Sequence, residues 1–519
     1  MQKTIFWPLI FTVLFFALAI FNHAQAYGAT PDLVIYHTND VHGYAFEERD
    51  SEGKLVRIGY DRLKAVVDAD PTPRKLLLDA GDVLHGQAFA TARLGELMGE
   101  VLSLVRYDAI AAGNHDFDYG YKRLLEISEK YRLNFLAANI VNENNEQFLP
   151  PYVVRAFTDF NVGIFGLSTP ETKTSTDPRN IEGLDIKDPV EKAKATVELL
   201  KAEGADLIIA VMHMGSMPYC KPMSQTIAEQ VPGIDIIIDG HSHSKTTIPI
   251  ERSDGSTVTV ASTGSYFENL GKITVDRKIS GGFSIAASII EASSPEIAQT
   301  VPDPAMREAM RILKAELDKE MAQVVMKVPF DLDGSRSNVR RTSTNLGRLV
   351  CASLAYATGA DVALMNGGAF RDSIPKGDVT KGHFLTTFPY GNYVYLIEVT
   401  GEDIMAALTH GLGLPGGGAF PQFWGMEVET EKRESALPNG TKTEIMFPKS
   451  VKVGGKPLDP KLKYSLAIND FIYSGGDGYV MFGKYPYREF ATMEEVFRTY
   501  MEDQNVATLQ EVSDASVLR

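Results

Sequence analysis

The chain has 519 residues and a formal net charge of −16, which results from 67 acidic and 51 basic side chains. Its content of 44% hydrophobic and 23% charged residues is that of a globular protein and excludes disordered and fibrous classes. The acidity disfavours nucleic-acid polymers and anionic membranes as partners, and two cysteines are too few for a disulfide scaffold. Because so long a chain exceeds what one core organises, we expect two domains.

Residues 1–26 have the pattern of a secretory signal that is removed from the mature protein. Lys3 precedes an apolar stretch from residue 5 to 21, and Ala24 and Ala26 supply the small residues of a cleavage site. A retained membrane anchor is the alternative, because the stretch approaches the lower length limit for crossing a bilayer. We predict cleavage after Ala26 and export to the periplasm or the extracellular space, without a stable membrane anchor.

Residues 27–295 have the pattern of a layered α/β domain. Apolar runs alternate with helical patterns, and the runs are continuously hydrophobic, so both sheet faces are expected to be covered. The predicted strands are Leu33–Tyr36, Leu76–Leu78, Ala109–Ala112, Phe135–Ala138, Val162–Leu167, Leu207–Met212, Ile234–Ile238, Thr257–Ala261 and Gly271–Val275.

Residues 296–324 change in character, with apolar side chains at helical spacing behind Asp303 and Pro304. This pattern predicts a helix that Asp303 caps. We interpret the helix as a linker between two domains; packing wholly on the first domain is the alternative.

Residues 325–519 are predicted to form a second α/β domain. Thr344 can cap a helix over residues 345–357 that ends at Gly359, and Val362–Met365 follows as a strand. The two cysteines fall in different domains, and we expect both to be free, buried thiols.

Polar clusters follow the apolar runs of the first domain. They are Asn39-Asp40-Val41-His42, Gly81-Asp82, Gly113-Asn114-His115-Asp116, His213 with Gly215, and Gly240-His241-Ser242-His243. In an open α/β sheet, side chains beyond the carboxyl ends of the strands converge on one rim. Two carboxylates, an amide and several imidazoles suit Zn²⁺, Mn²⁺ or Fe. Each cluster alone also fits an ordinary turn, whereas five in succession indicate a metal centre.

The succession D-x-H, G-D, G-N-H-[DE], an isolated His and G-H-x-H resembles the signature of calcineurin-like dinuclear metallophosphoesterases. The segments His37–Gly43 (HTNDVHG) and Gly475–Tyr479 (GGDGY) extend the resemblance to the 5′-nucleotidase family, along nearly the whole mature chain. This resemblance implies an N-terminal four-layer α/β sandwich of the calcineurin-like type, followed by a C-terminal α/β domain that binds the substrate.

The resemblance further implies two divalent metal ions, zinc, manganese or a similar metal. One ion would be held by Asp40, His42, Asp82 and His243. The other would be held by Asp82, Asn114, His213 and His241. A metal-activated water would then attack phosphorus in line. His115, oriented by Asp118, would stabilise the transition state and assist the leaving alkoxide; bracing of its loop is the alternative role.

Four arginines of the second domain, at positions 336, 340, 341 and 371, stand near glycine-rich turns. In an acidic protein such a cluster indicates either anion recognition or surface solubility. By resemblance, Arg336, Arg340 and Arg371 bind the phosphate. Gly334 and Ser335 favour a loop at Arg336.

Two aromatic residues, Tyr390 and Phe471, match the pair that stacks on the base in the family; without the resemblance, core packing is the ordinary expectation. Asn392 would contact the base and Asp477 the ribose hydroxyls. Tyr390 stands where the family usually has phenylalanine, which leaves the base preference open.

The resemblance thus implies a secreted phosphohydrolase that releases phosphate from nucleoside 5′-monophosphates, with other 5′-nucleotides and UDP-sugars as further substrates. A 2′,3′-cyclic-nucleotide 2′-phosphodiesterase/3′-nucleotidase is the enzymatic alternative, and a thiosulfohydrolase, which the stacking pair disfavours, is a more distant one. A nucleotide-binding surface protein is the non-enzymatic alternative, which the filled ligand positions disfavour. Since metals and nucleoside would bind different domains, catalysis would require closure of the cleft between them.

Overall fold

The computed structural model describes residues 30–176, 178–217, 220, 222–436 and 442–518. The predicted signal segment, residues 1–26, lies outside these ranges. Within them, no helix combines the length and the apolar character that a membrane span requires.

The first half of the chain is built on two six-stranded sheets. The first sheet contains, in spatial order, Phe283–Glu291, Asn269–Arg277, Leu33–Thr38, Lys75–Asp79, Ala109–Ala111 and Phe135–Leu136. The second contains Lys245–Glu251, Thr257–Thr263, Ile236–Asp239, Leu207–His213, Asn161–Ser168 and Tyr152–Ala156. The central strands of each sheet are parallel, so that their carboxyl ends reach one edge.

The two sheets pack face to face, and helices cover their outer faces. Ile35, Leu78, Val211 and Ile238 belong to the core between the sheets, which explains why these strands are continuously apolar. The helices of this half are Tyr60–Ala69, Ala88–Thr91, Glu96–Val105, Tyr121–Tyr131, Thr172–Ser175, Pro189–Ala202 and Ser224–Gln230, with 3₁₀ turns at His115–Phe117 and Pro178–Ile181. Two strand pairs flank the sheets: Glu48–Arg49 with Leu55–Arg57, and Ile140–Asn142 with Leu184–Ile186. The four-layer α/β architecture confirms the predicted fold class.

Two helices, Pro295–Ala298 and Pro304–Met321, connect the halves. Asp303 caps the longer one, because its Oδ1 accepts a hydrogen bond of 2.8 Å from the backbone N–H of Met306. Met306, Met310, Leu317 and Met321 pack into the core of the first half. Near its end, Glu320 lies 2.7 Å from Lys381 of the second half. The helix therefore rests on the first half and touches the second.

The second half contains a mixed five-stranded sheet between two apolar cores. Its strands, in spatial order, are Pro421–Trp424, Val362–Asn366, Lys463–Asn469, Tyr393–Thr400 and Tyr487–Thr492. Smaller sheets consist of Val324–Val328 with Gly377–Thr380, and of Met426–Ala436, Lys442–Val453 and Lys456–Pro457. The helices are Arg336–Val339, Asn345–Thr358, Lys381–Thr387, Gly401–Leu412, Asp470–Tyr473, Met493–Asp503 and Val506–Asp514, with 3₁₀ turns at Gly367–Ala369 and Gly476–Gly478.

Three local expectations can be compared with these elements. Thr344 caps its helix as expected, and Gly359 ends it in the left-handed conformation. The loop expected at Arg336 is wrong, because Arg336–Val339 forms one helical turn after Ser335. The two cysteines are free and buried.

We expect Asp303→Ala to lower the free energy of unfolding by about 0.5–2 kcal/mol, since the first turn of the connecting helix loses its cap. Asp318→Ala is a matched control, because Asp318 is an exposed residue of the same helix whose only ion pair within the described part of the chain is with Lys314 at i−4. Its loss is expected to cost less than about 0.5 kcal/mol. Urea unfolding of the two variants checks this, and equal destabilisation would contradict the capping role.

Candidate active site

The polar clusters of the first half meet at the carboxyl edge of its sheets. The backbone N–H of Asp40 donates to the Gly81 carbonyl at 3.0 Å, and that of His42 donates to the Asp82 carbonyl at 2.9 Å. These two hydrogen bonds join the loops that follow the strands Leu33–Thr38 and Lys75–Asp79. The Asp40 and Asp82 side chains are thereby brought to one point.

Asp116 fixes the next loop to the same point. Its carboxylate accepts hydrogen bonds of 2.8–2.9 Å from the backbone N–H groups of Asp82, Val83, Leu84 and Gly113. The acidic residue that ends the G-N-H-[DE] motif therefore holds two loops together through hydrogen bonds to their backbone.

Two glycines of the motifs have no room for a side chain, because other atoms approach them closely. A Cβ atom at Gly113 would lie 2.2 Å from Oδ1 of Asp82, and one at Gly240 would lie 2.8 Å from Nδ1 of His213. Any larger residue at either position would displace a candidate ligand.

Five of the seven sequence-predicted metal ligands form two overlapping clusters. Asp40, His42 and His243 form one, and Asp40, Asp82 and His213 form the other. Nε2 of His213 lies 3.1 Å from Oδ2 of Asp82, and Nε2 of His243 lies 3.5 Å from Oδ1 of Asp40. Nε2 atoms of His42 and His243 are 3.2 Å apart.

Five of these side chains stand on strained backbone. Positive φ angles occur at Asp40 (51°), His42 (48°), Asp82 (61°), His241 (76°) and His243 (54°). A left-handed conformation is unfavourable for non-glycine residues and concentrates at functional sites. The surrounding sheets and loops hold the side chains in a geometry that the local chain would not adopt.

Hydrogen bonds on the outer side of two rings determine which nitrogen faces the centre. Nδ1 of His213 lies 2.7 Å from the Ala80 carbonyl, which can only accept, so that nitrogen carries the proton and Nε2 points at Asp82. Nε2 of His241 lies 2.7 Å from a carboxylate oxygen of Glu171. Nδ1 of His241 is therefore the ring nitrogen that is available to a metal ion.

Glu171 was not among the residues predicted from the sequence. It follows the strand Asn161–Ser168, which ends at the same edge as the other clusters. Side chains that follow parallel strands converge on one edge, so this signal was present for Glu171. However, Ser168, Thr169 and Pro170 separate Glu171 from the apolar run.

The two carboxylates of the centre are buried, and their pKa values are shifted in opposite directions. Asp40 and Asp82 are 0% and 2% exposed, and burial raises the pKa of Asp40 to about 7. Burial also penalises the charge of Asp82, but His213 and His115 outweigh it and hold the pKa of Asp82 well below its usual range.

Two further atoms of the centre are buried without a hydrogen-bond partner among the described residues: Nδ1 of His42 and Oδ1 of Asn114. Carboxylate oxygens, an amide oxygen and imidazole nitrogens are the donors that zinc and manganese prefer in proteins. The residues present therefore fit divalent cations.

His115 and Asp118 form a pair beside the centre. Nδ1 of His115 lies 2.6 Å from Oδ2 of Asp118, whose other oxygen accepts a 2.7 Å hydrogen bond from the Thr176 hydroxyl. Burial disfavours the imidazolium, but the carboxylates of Asp118 and Asp82 outweigh this and raise the pKa of His115 above 6.5. His115 lines the cleft, where a protonated ring can donate to an oxygen.

Three predicted phosphate-binding arginines of the second half face the same cleft. Arg336, Arg340 and Arg371 line a small cavity together with His42, and none of them forms an ion pair within the described ranges. Arg340 is 8% exposed, and burial together with the two neighbouring arginines lowers its pKa to about 10. Clustered guanidinium groups without carboxylate partners are suited to an anion.

A larger cavity of about 320 Å³ adjoins this cluster between the two halves. The remaining predicted substrate residues line it: Tyr390, Asn392, Phe471 and Asp477. Asn366 donates a 2.6 Å hydrogen bond to Asp477, and Asn392 donates one of 2.9 Å to Asp470. His115 and Asp118 of the first half also line this cavity, so it extends from the aromatic residues to the pair beside the candidate metal centre.

Comparison with known proteins covers both halves. The calcineurin-like phosphoesterase family model matches residues 33–245, and the model of the 5′-nucleotidase C-terminal domain matches residues 322–484. Protein UshA of Yersinia enterocolitica is 30% identical, over 87% of this chain and 86% of that protein. The trifunctional nucleotide phosphoesterase YfkN of Bacillus subtilis is 29% identical over 87% of this chain, which spans 32% of the length of YfkN.

Solved structures agree with this assignment. The 5′-nucleotidase precursor of Thermus thermophilus superposes with a TM-score of 0.75 and 26% identity, covering 94% of this chain and 99% of that one. A phosphoesterase domain of the calcineurin-like type thus precedes a nucleotidase C-terminal domain, and the chain belongs to the 5′-nucleotidase family.

Proposed function

We propose that this protein is an exported, metal-dependent 5′-nucleotidase that releases phosphate from nucleoside 5′-monophosphates. One observation carries the proposal: two cavities that share Arg340 and Arg371 are lined by His42 of the buried carboxylate and imidazole centre, by the arginines and by the aromatic residues. Each part suits one portion of a nucleotide, namely the reacting phosphorus, the phosphate oxygens and the base.

Two divalent ions are assigned to the centre. One would be held by Asp40, His42, Asp82 and His243. The other would be held by Asp82, Asn114, His213 and His241. When bound, the ions supply the Lewis acidity that makes water nucleophilic and withdraws charge from the phosphoryl group.

The chain's own residues bind the substrate and place its leaving group. Arg336, Arg340 and Arg371 hold the phosphate oxygens through charge-assisted hydrogen bonds. His115, oriented by Asp118, donates a hydrogen bond to the 5′-oxygen as that oxygen leaves.

The nucleoside portion is bound on the opposite side of the cleft. The rings of Tyr390 and Phe471 hold the base, Asn392 contacts its edge, and Asp477 accepts from the ribose hydroxyls. Closing the cleft around the substrate excludes water from all of these contacts.

The proposal assigns the catalytic domain to residues 27–295, the linker helix to 296–324 and the substrate domain to 325–519. Because the cleft takes side chains from both domains, neither is sufficient for nucleotide hydrolysis. UDP-sugars are proposed as further substrates, since they share the nucleoside and the phosphate with the monophosphates.

An assay of phosphate release tests the function. The full chain, stripped with a chelator and then supplied with Zn²⁺ or Mn²⁺, is tested on AMP, 2′,3′-cyclic AMP and UDP-glucose. We expect AMP hydrolysis that is lost on chelation and restored by metal. Turnover of the cyclic nucleotide in the absence of AMP turnover would instead support the phosphodiesterase alternative, and turnover of none would support a binding protein.

Asp82→Ala should lower kcat for AMP by about 10³-fold or more, because both ions lose a shared ligand that secures several kcal/mol of transition-state stabilisation. Metal content by elemental analysis should fall in parallel. Asp68→Ala is the matched control, since Asp68 is an exposed aspartate that pairs with Lys64 on a surface helix. Near-normal rates in Asp82→Ala would contradict the assignment of the centre.

Phe471→Ala should raise KM for AMP about 5- to 150-fold with a small change in kcat, because base stacking on an aromatic ring contributes about 1–3 kcal/mol. Hydrolysis of ribose 5-phosphate, which has no base, is the internal comparison. Phe490→Ala serves as the control variant, since Phe490 is a half-buried residue that does not line the cavity. An equal loss on both substrates would argue against stacking.

A further inference from the structure

His85 is a buried histidine to which neither the sequence motifs nor the proposed function gives a role. It lies three residues after Asp82 and is 0% exposed, yet neither ring nitrogen has a hydrogen-bond partner among the described residues. Buried polar atoms are ordinarily hydrogen-bonded, and an exception at a functional site needs an explanation.

The ring of His85 is the middle member of a stack of three. It lies nearly parallel to the His115 ring, with centroids 5.3 Å apart and an angle of 19°, and to the Tyr390 ring, at 4.9 Å and 17°. The ring of Tyr119 contacts its side at 5.6 Å. Since Tyr390 belongs to the second half, the stack crosses from one half of the molecule to the other.

The surroundings of His85 favour an uncharged aromatic ring. Burial lowers its pKa to about 3, and the Asp118 carboxylate, at 3.4 Å from Nδ1, does not reverse this effect. Asp118 already bonds His115 at the shorter distance of 2.6 Å. His85 therefore contributes a flat surface and no additional charge at this position.

The second aromatic wall of the cavity has a support of its own. The Phe471 ring lies directly on the backbone of Gly476, where an added Cβ would be 2.5 Å from Cζ of the ring. Both rings that line the cavity are thus backed, Phe471 by Gly476 and Tyr390 by His85. Rings whose rear faces are covered keep a fixed orientation toward the space in front of them.

We propose that His85 is a positioning residue for nucleotide recognition: its ring is the platform that holds Tyr390 in the orientation that stacks on the base, and it connects that orientation to His115. The inference rests on the proposed nucleotidase function. It adds that base recognition in the second half depends on a side chain of the first half. In this proposal, Tyr390 stacks on the base only when its rear face is in contact with the His85 ring.

The test compares His85→Ala with His85→Phe in the full chain, each loaded with Zn²⁺ or Mn²⁺, on AMP and on ribose 5-phosphate. Loss of the platform in His85→Ala should lower the ratio of kcat/KM for AMP to that for ribose 5-phosphate about three- to tenfold, mainly through KM. His85→Phe retains a flat ring and should restore most of the ratio. Comparing the two substrates cancels any common effect that the substitution has through His115.

Wild-type turnover of AMP in the same assay separates the two hypotheses, since its absence refutes the nucleotidase function. If wild type is active and the ratio in His85→Ala is unchanged, or falls equally in His85→Phe, the platform role is wrong. His85→Gln, which keeps a similar volume without a ring, replaces His85→Ala if the latter does not fold, and the same ratio decides.

Discussion

The structure depends on two carboxylates, Asp40 and Asp82, that are held together in a buried pocket. Burying a charge is unfavourable unless an opposite charge compensates it, and two adjacent carboxylates double that demand. The imidazoles around them meet part of it, as the opposite pKa shifts of Asp82 and His213 indicate. Nδ1 of His42 and the amide oxygen of Asn114 have no hydrogen-bond partner among the described residues. Bound cations would compensate the remaining charge and use such atoms as ligands.

The strained backbone at the candidate ligands fits the same requirement. Five of these residues have positive φ angles, whereas the strands that precede them are regular and almost entirely buried. The continuous apolar core of the sandwich stabilises the fold without a contribution from the loops at its edge. These loops can therefore adopt the strained conformations that the ligand geometry requires.

Much of the fold and the centre could be predicted from the sequence, because parallel strands impose a simple rule. Whatever follows a buried parallel strand arrives at one edge, so Asp40, Asp82 and His213 could be brought together without knowing any contact. Glu171 and His85 could not be identified from the sequence, because their roles depend on the direction of their side chains and on partners in distant loops. The helical turn at Arg336 could not be predicted, because Gly334 and Ser335 locally favour a loop and only the folded structure favours the turn.

The hydrogen bond between Arg336 and Tyr266 has a consequence for turnover. Arg336 Nη1 donates to the Tyr266 hydroxyl at 2.9 Å across the boundary between the halves, at the cavity that also contains His42. The guanidinium keeps further N–H donors besides the one that bonds Tyr266, so the proposed anion can bind Arg336 while this contact is retained. The bond to Tyr266 holds the guanidinium beside the cavity when no anion is bound, so the side chain does not have to be ordered again for each turnover.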